Sequence, residues 1–205
     1  MPDAFVIGEK FIGKDNVAMI LGDNFFYGQN LTGKLLENIK LKKGAKVVLH
    51  KVLKPELFGV AKIDNKNKIK IIKEKPKNFI SDLAITGLYF VDGTASERAR
   101  QVQPSERGEL EITSLLESYL KEGYLVVEKM GRGFAWLDTG THGSLLDAGN
   151  FVRTLTERQG LQVGSPDELA FQLGWITENM LLETAKMFGK NREIIRTYKL
   201  PMHGM

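Results

Sequence analysis

Two aspartates each follow a short apolar run that has the composition of a β-strand. Asp23 comes after Val17–Leu21 and the intervening Gly22, and Asp138 comes directly after Phe134–Leu137. Ligands of open α/β sheets collect at the carboxyl ends of strands, so we expect both carboxylates at one edge of such a sheet. Two carboxylates, together with water and substrate phosphates, are the usual ligands of Mg²⁺. The sequence therefore predicts a magnesium site at Asp23 and Asp138, with a turn cap as the alternative role of each aspartate.

Cations and glycines recur at the ends of other predicted strands. Lys75 ends one strand and precedes Pro76, which favours an extended conformation at Lys75. Gly59 and Gly87 would let the backbone approach a polar substrate closely. Arg107 lies in a loop before a helix, where it could bind a phosphate or remain solvated. The recurrence of acid, cation and glycine at strand ends indicates a binding site for a phosphorylated ligand.

The composition is that of an ordinary globular protein, with 205 residues of which 42% are hydrophobic and 26% charged. The net charge is +4, but Lys and Arg are spread among acidic residues, which argues against nucleic-acid binding. The absence of cysteine excludes disulfides and thiolate metal sites. No apolar run has the length of a signal peptide or a membrane helix. We therefore expect a cytoplasmic protein that binds neither nucleic acid nor membrane.

The order of strands and helices predicts an α/β core over residues 1–140. Its first strand, Val17–Leu21, is apolar throughout, which favours a parallel strand covered on both faces. Around it we expect helices at Asp3–Phe11, Leu31–Lys40 and from Gly108 to Gly123, strands at Lys46–Val52, Ala84–Val91, Leu125–Met130 and Phe134–Leu137, and a hairpin of Phe58–Ile63 with Lys68–Ile72.

From Thr141 to the C-terminus, residues 141–205, the sequence predicts helices only. Thr141 is expected to cap a first helix that ends at Gly160. Ser165-Pro166-Asp167-Glu168 is a capping box with proline at the first helical position. Two more helices are expected at Thr177–Phe188 and Asn191–Leu200. Their apolar faces must be buried against the core or another subunit, which favours a homo-oligomer.

Six motifs, in this order along the chain, closely resemble the glucose-1-phosphate thymidylyltransferase family. They are Leu21-Gly22-Asp23-Asn24, Phe58-Gly59-Val60, Glu74-Lys75-Pro76, Thr86-Gly87-Leu88-Tyr89-Phe90, Arg107-Gly108-Glu109-Leu110-Glu111-Ile112-Thr113 and Trp136-Leu137-Asp138-Thr139-Gly140-Thr141. The resemblance runs from about Ala4 to about Phe171 and continues more loosely beyond. It implies a Rossmann-like α/β nucleotidyltransferase sheet with a C-terminal helical tail, assembled as a dimer or tetramer. The implied reaction joins dTTP and glucose 1-phosphate into dTDP-glucose and pyrophosphate with Mg²⁺, a step of dTDP-rhamnose biosynthesis.

The resemblance also implies roles for individual residues. Asp23 and Asp138 match the two Mg²⁺ ligands of the family, and with Lys75 they are the implied catalytic residues. Lys75 and Arg107 match groups that bind the sugar phosphate. Further substrate contacts are implied for Asn24, Gly59, Glu74 and Tyr89. The implied chemistry needs no protein nucleophile, because the metal and the cations offset the repulsion between two phosphate groups.

The sequence departs from the family pattern at its start. The family's first strand and its glycine-rich loop, with an arginine and then a lysine, are absent, and this chain begins within the helix that follows the nucleotide-base pocket. An N-terminally truncated sheet would expose the edge of Val17–Leu21. We therefore expect the chain alone to turn over little substrate and to dimerise, swap elements or fold imperfectly. Phe58 replaces a usual tyrosine and Asp82-Leu83 a common Asn-Tyr, which bears on sugar preference.

Two other functions are compatible with the sequence. The first is another sugar-1-phosphate nucleotidyltransferase that uses UTP or GTP, because the base pocket is the part that this sequence lacks. The second is a non-catalytic fragment that binds a sugar phosphate or mediates oligomerisation, as the helical tail and the absent loop suggest. A structural α/β protein without a ligand would leave the six motifs unexplained.

Overall fold

The computed structural model describes residues 1–159 and 163–187, and the chain divides into two units, Met1–Gly140 and Thr141–Met205. The helices of the first unit are α1 (Asp3–Ile7), α2 (Glu9–Ile12), α3 (Leu31–Asn38), α4 (Ala95–Gln101) and α5 (Ile112–Lys121), with a short 3-10 helix at Pro55–Leu57. Its strands are β1 (Val17–Ile20), β2 (Asn24–Gly28), β3 (Ala45–Lys51), β4 (Val60–Ile63), β5 (Ile69–Lys73), β6 (Leu83–Val91), β7 (Leu125–Lys129) and β8 (Phe134–Asp138).

The central sheet of this unit is organised around β6, which is buried along its whole length. The strand order is β5-β4-β6-β3-β7, and β1 also pairs with β6. Val91 lies opposite Ala45 of β3 and Val17 of β1, so β6 is paired along both of its edges. Only β3 and β7 are parallel within this sheet, and the other pairs are antiparallel. The predicted α/β core with a central sheet is confirmed.

Alternate residues of β6 belong to two hydrophobic cores. Tyr89 and Val91 join the larger core, to which α5 contributes the fully buried Leu115. Leu88 and Phe90 join a smaller core with side chains from α3, β2 and β8. Because successive residues of a strand point to opposite faces, β6 links the two cores.

The prediction for the first strand was wrong in its pairing and burial. β1 runs antiparallel to β6, and its residues are alternately half-buried and exposed. Val17 and Met19 pack against the larger core, whereas Ile20 is 57% exposed. The apolar run is continuous because the residues on the outer face of β1 are apolar as well. A continuous apolar run therefore does not distinguish a strand buried on one face from a strand buried on both faces.

Two helical predictions in the first unit also need correction. The single helix expected at Asp3–Phe11 is divided at Gly8 into α1 and α2. Helix α4 was not predicted, because Ala95–Gln101 presents only the two small residues Ala95 and Ala99 to the larger core. In contrast, the hairpin of β4 and β5 is confirmed.

The second unit contains α6 (His142–Gln159), α7 (Pro166–Gln172) and α8 (Glu178–Met187). Both predicted caps are confirmed, since Thr141 Oγ1 accepts the Ser144 N–H at 3.1 Å and Ser165 Oγ accepts the Glu168 N–H at 3.3 Å. Gly160 and the helix predicted at Asn191–Leu200 lie outside the described residues. Within the described ranges no helix combines the length and the apolar composition needed to cross a membrane.

Thr141→Ala is expected to lower the free energy of unfolding of the second unit by about 1 kcal/mol, because the first turn of α6 loses its side-chain cap. Amide hydrogen exchange in the first turn of α6, measured on the whole chain, would report the loss. Thr154→Ala is the matched control, since the Thr154 hydroxyl only donates back to the Asn150 carbonyl within the same helix. Equal exchange rates in the two variants would contradict the capping role.

Candidate active site

The two predicted metal-binding aspartates lie close together, at the end of a separate two-stranded sheet. β2 and β8 pair antiparallel, with Asn24 opposite Asp138. The Thr139 N–H and hydroxyl both donate to the Asp23 carbonyl oxygen at 2.8 Å, which ties the turn before β2 to the end of β8. Asp23 Oδ2 and both Asp138 carboxylate oxygens lie within 3.8 Å of the point that a Cβ on Gly140 would occupy. The antiparallel pairing of β2 and β8 therefore brings the two carboxylates together. The expected arrangement, in which they lie at the ends of parallel strands, was wrong.

The charges around the Asp23 and Asp138 carboxylates are unbalanced. Burial raises the pKa of Asp138, and the negative charge of Asp23 raises it further, while the Gly140 N–H and the charge of Lys75 act in the opposite direction. Two carboxylates that repel each other are stabilised by a cation between them. All of the donors are hard oxygens, which suits Mg²⁺ better than a softer metal.

The donor set is small. Within residues 1–159 and 163–187, no three side chains of His, Cys, Asp or Glu are grouped so that they could hold a metal ion. Mg²⁺ keeps several waters and commonly takes only one or two carboxylates plus phosphate oxygens from a substrate. Asp23 and Asp138 therefore fit Mg²⁺ in the presence of a phosphorylated substrate.

A cavity of about 270 Å³ opens beside the two aspartates. It brings together seven of the eight residues that the sequence assigned to the site. These are Asp23, Asn24, Gly59, Glu74, Lys75, Tyr89 and Asp138. The cavity is therefore a candidate pocket for a small polar ligand next to the carboxylate pair.

Glu74 is held at the cavity wall by a contact that spans two elements. The Thr113 hydroxyl of α5 donates to Glu74 Oε2 at 3.1 Å. A Cβ on Gly59 would come within 2.8 Å of the Thr113 methyl group and 3.0 Å of Glu74 Oε2. Glycine at position 59 therefore makes room for both side chains, and Glu74 can accept a hydrogen bond from a ligand hydroxyl.

Lys75 has a backbone conformation that the sequence did not predict. Its φ is +34°, in the left-handed region, whereas an extended conformation was expected before Pro76. The Lys75 N–H donates to the Phe58 carbonyl at 3.0 Å, and this bond joins the ends of β4 and β5. The strain of such a conformation costs about 1–3 kcal/mol and is typical of functional sites.

The ammonium group of Lys75 is available for a ligand. The side chain is exposed and forms no ion pair within 4 Å with any residue in the described part of the chain. Its charge acts to lower the pKa of both Glu74 and Asp138, although burial keeps each pKa above its ordinary value. An anionic ligand in the cavity would find in Lys75 a cation that no carboxylate has neutralised.

Arg107 lines an adjoining cavity of about 590 Å³ and is absent from the wall beside the aspartates. The two cavities share Glu74 and Lys75 in their walls. The Arg107 guanidinium bonds to Glu109 Oε1 at 2.9 Å and to Glu111 Oε1 at 3.4 Å. A phosphate at Arg107 would have to compete with these two carboxylates.

Comparison with known proteins identifies the family. The sequence profile of the family described as nucleotidyl transferase matches residues 1–154. The chain belongs to this family. Its relatives include the glucose-1-phosphate thymidylyltransferases of Neisseria meningitidis serogroup A, 47% identical over 94% of this chain, and of Mycobacterium tuberculosis, 44% identical over 93%. The chain spans about two thirds of the length of these relatives, 67% and 66%. The resemblance read from the six motifs is confirmed.

Solved structures of nucleotidyltransferases have the same fold. A crystal structure from Bacillus anthracis, described as a glucose-1-phosphate thymidylyltransferase in complex with sucrose, matches with a TM-score of 0.66 and 42% identity over 75% of this chain and 61% of that one. A UDP-glucose pyrophosphorylase in complex with UDP-glucose matches with a TM-score of 0.67 but only 21% identity, over 75% of this chain and 62% of that one, and supports the fold alone. The predicted Rossmann-like α/β fold is confirmed.

The candidate site contains three residues whose contacts in it the sequence did not predict. Thr113 orients Glu74, Glu111 pairs with Arg107, and the Trp136 ring packs at a tilt against Phe58 with ring centroids 5.1 Å apart. All three lie within the six motifs. Nothing in the chain order indicates that Thr113 meets a residue 39 positions earlier, since only the folded arrangement of α5 against β5 brings them together.

Proposed function

We propose that this chain forms the metal and sugar-phosphate part of a glucose-1-phosphate thymidylyltransferase. The observation that carries the proposal is the pairing of Asp23 with Asp138 beside a cavity lined by Glu74 and Lys75. The names of relatives more than 40% identical support glucose 1-phosphate and a thymidine nucleotide as substrates. The product would be dTDP-glucose, a precursor for dTDP-rhamnose.

The proposed reaction is a displacement at phosphorus. A phosphate oxygen of glucose 1-phosphate forms a bond to the α-phosphorus of dTTP. The bond between the α-phosphorus and the oxygen that bridges it to the β-phosphorus breaks, and pyrophosphate leaves. Mg²⁺, when bound, supplies positive charge that stabilises the phosphate oxygens as they gain negative charge. Asp23 and Asp138 would hold the ion. No side chain has to form a covalent bond to substrate, so the protein contributes position and charge.

The remaining residues would bind and orient the sugar phosphate. Lys75 would pair with its phosphate, and Arg107 could add a second cation across the shared wall of the adjoining cavity. Glu74 would accept a hydrogen bond from a sugar hydroxyl, beside Gly59. Tyr89 is buried. Burial raises the pKa of its hydroxyl, and the negative charges of Glu74 and Asp23 raise the pKa further. The hydroxyl therefore stays protonated and can donate a hydrogen bond to the substrate.

The proposal is tested by two measurements on the whole chain. Calorimetry should detect glucose 1-phosphate, with binding weakened in Lys75→Ala, and the absence of binding in the unsubstituted chain would contradict the assigned pocket. Pyrophosphate release with Mg²⁺, glucose 1-phosphate and either dTTP, UTP or GTP tests the nucleotide, and the small turnover expected of this chain should be greatest with dTTP. Preference for UTP or GTP over dTTP would favour another sugar-1-phosphate nucleotidyltransferase.

The proposal includes assembly as a homo-oligomer. Several large apolar side chains of the first unit are exposed, among them Ile7 (84%), Phe11 (96%) and Ile20 (57%). Exposed apolar side chains mark an interaction surface where they form one contiguous patch. Light scattering should therefore give the mass of a dimer or tetramer, and a monomer at micromolar concentration would contradict this part of the proposal.

Gly59→Ala is expected to weaken glucose 1-phosphate binding by about tenfold, because the new Cβ would displace the Glu74 carboxylate or the Thr113 methyl group. Calorimetric titration of the whole chain measures the change. Gly131→Ala is the matched control, since a Cβ at Gly131 meets no atom within 4 Å. Similar affinities for the two variants would contradict the role of Glu74 in sugar binding.

A further inference from the structure

The Asn24 side chain has an orientation that its neighbours determine. Its Oδ1 accepts the Trp136 Nε1–H at 2.6 Å and the Gly87 N–H at 3.0 Å. An indole and a backbone N–H can only donate, so the atom that faces both must be the amide oxygen. The amide nitrogen is thereby directed to Asp23, and it donates to Asp23 Oδ1 at 2.8 Å.

This chain of hydrogen bonds determines the direction of the Asp23 carboxylate. Because Oδ1 accepts from Asn24, Oδ2 is the oxygen on the Asp138 side, 3.6 Å from the point that a Cβ on Gly140 would occupy. The terminal torsion of an aspartate is broad in the absence of such a partner. The bond from Asn24 therefore selects one rotation and keeps Oδ2 free beside Asp138.

Gly87 provides independent support for the arrangement. The sequence indicated that a polar substrate would approach this glycine, but the group in contact is the Asn24 side chain. A Cβ on Gly87 would lie 2.5 Å from both Asn24 Cγ and Oδ1. The central strand β6 thus lacks a side chain at the point where the Asn24 amide lies.

Trp136 is itself held by two rings. Its ring centroid lies 5.1 Å from that of Phe58 and 6.2 Å from that of His50, the latter in an edge arrangement. These contacts restrict the movement of the indole. The N–H that reaches Asn24 therefore comes from a packed side chain and not from a mobile one.

We infer that Trp136 is a positioning residue for the metal site, acting through Asn24 on Asp23. The inference rests on the proposed function, because it takes Asp23 and Asp138 as the ligands of Mg²⁺. Trp136 lines the same cavity, but its indole N–H donates to Asn24 and reaches Asp23 only through that side chain. The second N–H of Asn24 takes no part in this chain of bonds, so a substrate contact by Asn24 is compatible with its orienting role.

Mn²⁺ binding, followed by electron paramagnetic resonance on the whole chain with glucose 1-phosphate present, tests the inference without relying on turnover. Trp136→Phe keeps an aromatic ring and removes the N–H, and we expect it to weaken Mn²⁺ binding by about fivefold. Trp175→Phe, at a site 74% exposed in the second unit, is the matched control and should not change the affinity. Asp23→Asn removes the ligand itself and should abolish the binding.

The variants separate the inference from the proposed function. If Asp23→Asn loses Mn²⁺ binding while Trp136→Phe keeps the full affinity, the positioning role is wrong and the metal site stands. If Asp23→Asn binds as well as the unsubstituted chain, or if that chain binds no Mn²⁺, the metal assignment is wrong and the inference fails with it.

Nuclear magnetic resonance gives a second readout that does not depend on the metal. The chain has two tryptophans, so two indole N–H signals are expected, and Trp175→Phe assigns them. Asn24→Ala should shift the Trp136 signal upfield and accelerate its hydrogen exchange. An unchanged Trp136 signal would show that the indole does not donate to Asn24 and would overturn the inference.

Discussion

Asp138→Asn is expected to weaken Mn²⁺ or Mg²⁺ binding by about a hundredfold or more, because it removes one of the two carboxylates of a site where the described residues supply no third metal-binding side chain. The same substitution should leave the folded state at least as stable. Folding raises the pKa of Asp138 through burial and through the charge of Asp23, so ionised Asp138 opposes folding near neutral pH. A neutral amide relieves that repulsion.

These opposite expectations distinguish a metal ligand from a structural residue. Metal binding is measured by paramagnetic resonance with Mn²⁺, and the free energy of unfolding by urea denaturation without metal. Asp147→Asn, which changes an exposed aspartate in α6, should alter neither quantity. A loss of stability in Asp138→Asn together with an unchanged metal affinity would indicate that Asp138 only caps the turn that follows β8.

The strand pattern and the motifs predicted seven of the residues that line the cavity. The end of an apolar strand or the start of a turn is the position of each of four site residues, Asp23, Glu74, Lys75 and Asp138. A residue at such a position is held in place by the strand and is still accessible to a ligand. The hairpin of β4 and β5 was also predictable, since Asp64 and Asn67 have the local turn chemistry that the structure uses.

The backbone of Lys75 and the pairing of β1 were not predictable, because each depends on residues distant in sequence. Lys75 adopts a positive φ because its N–H reaches the Phe58 carbonyl, a bond that forms only when β4 and β5 are paired. The direction of β1 is determined by β6, about seventy residues later, and an apolar run carries no information on the direction of its partner.

Gly59 and Gly87 are positions of close approach, but the sequence did not indicate which groups approach them. Each leaves space for a side chain of the site itself, Glu74 in one case and Asn24 in the other. A glycine within or beside a strand indicates close approach without indicating what approaches. In both cases the neighbouring side chain comes from another segment of the chain, so only the fold identifies it.

Asp92 is the buried carboxylate on which the framework behind the site depends. It follows β6 and accepts hydrogen bonds from the Gly44 N–H, from the N–H and hydroxyl of Thr94, and from the Tyr119 hydroxyl at 3.1 Å. These donors lie immediately before β3, immediately before α4 and in the last turn of α5. One carboxylate thus joins the strand that carries Gly87 and Tyr89 to two helices.

Asp92→Ala is expected to lower the free energy of unfolding of the first unit by about 3–5 kcal/mol, because the Gly44 N–H would stay buried without an acceptor and the Tyr119 hydroxyl would keep only its contact with Thr94. Urea denaturation of the whole chain measures the change. Asp147→Ala, at an exposed helical position, is the control and should cost less than about 0.5 kcal/mol. A cost for Asp92→Ala as small as that of the control would contradict the framework role.

The loss should also depend on pH. Burial acts to raise the pKa of Asp92, but the hydrogen bonds from Thr94, Gly44 and Tyr119 outweigh it and lower the pKa below its ordinary value. A carboxylate with a lowered folded-state pKa contributes its full stability above the unfolded-state pKa of about 3.9, and the contribution is lost as the pH falls through the folded-state pKa. The stability difference between the unsubstituted chain and Asp92→Asn should therefore be constant above about pH 5 and shrink below about pH 4. A difference that stays constant into the acid range would mean that the hydrogen bonds do not favour the ionised form of Asp92.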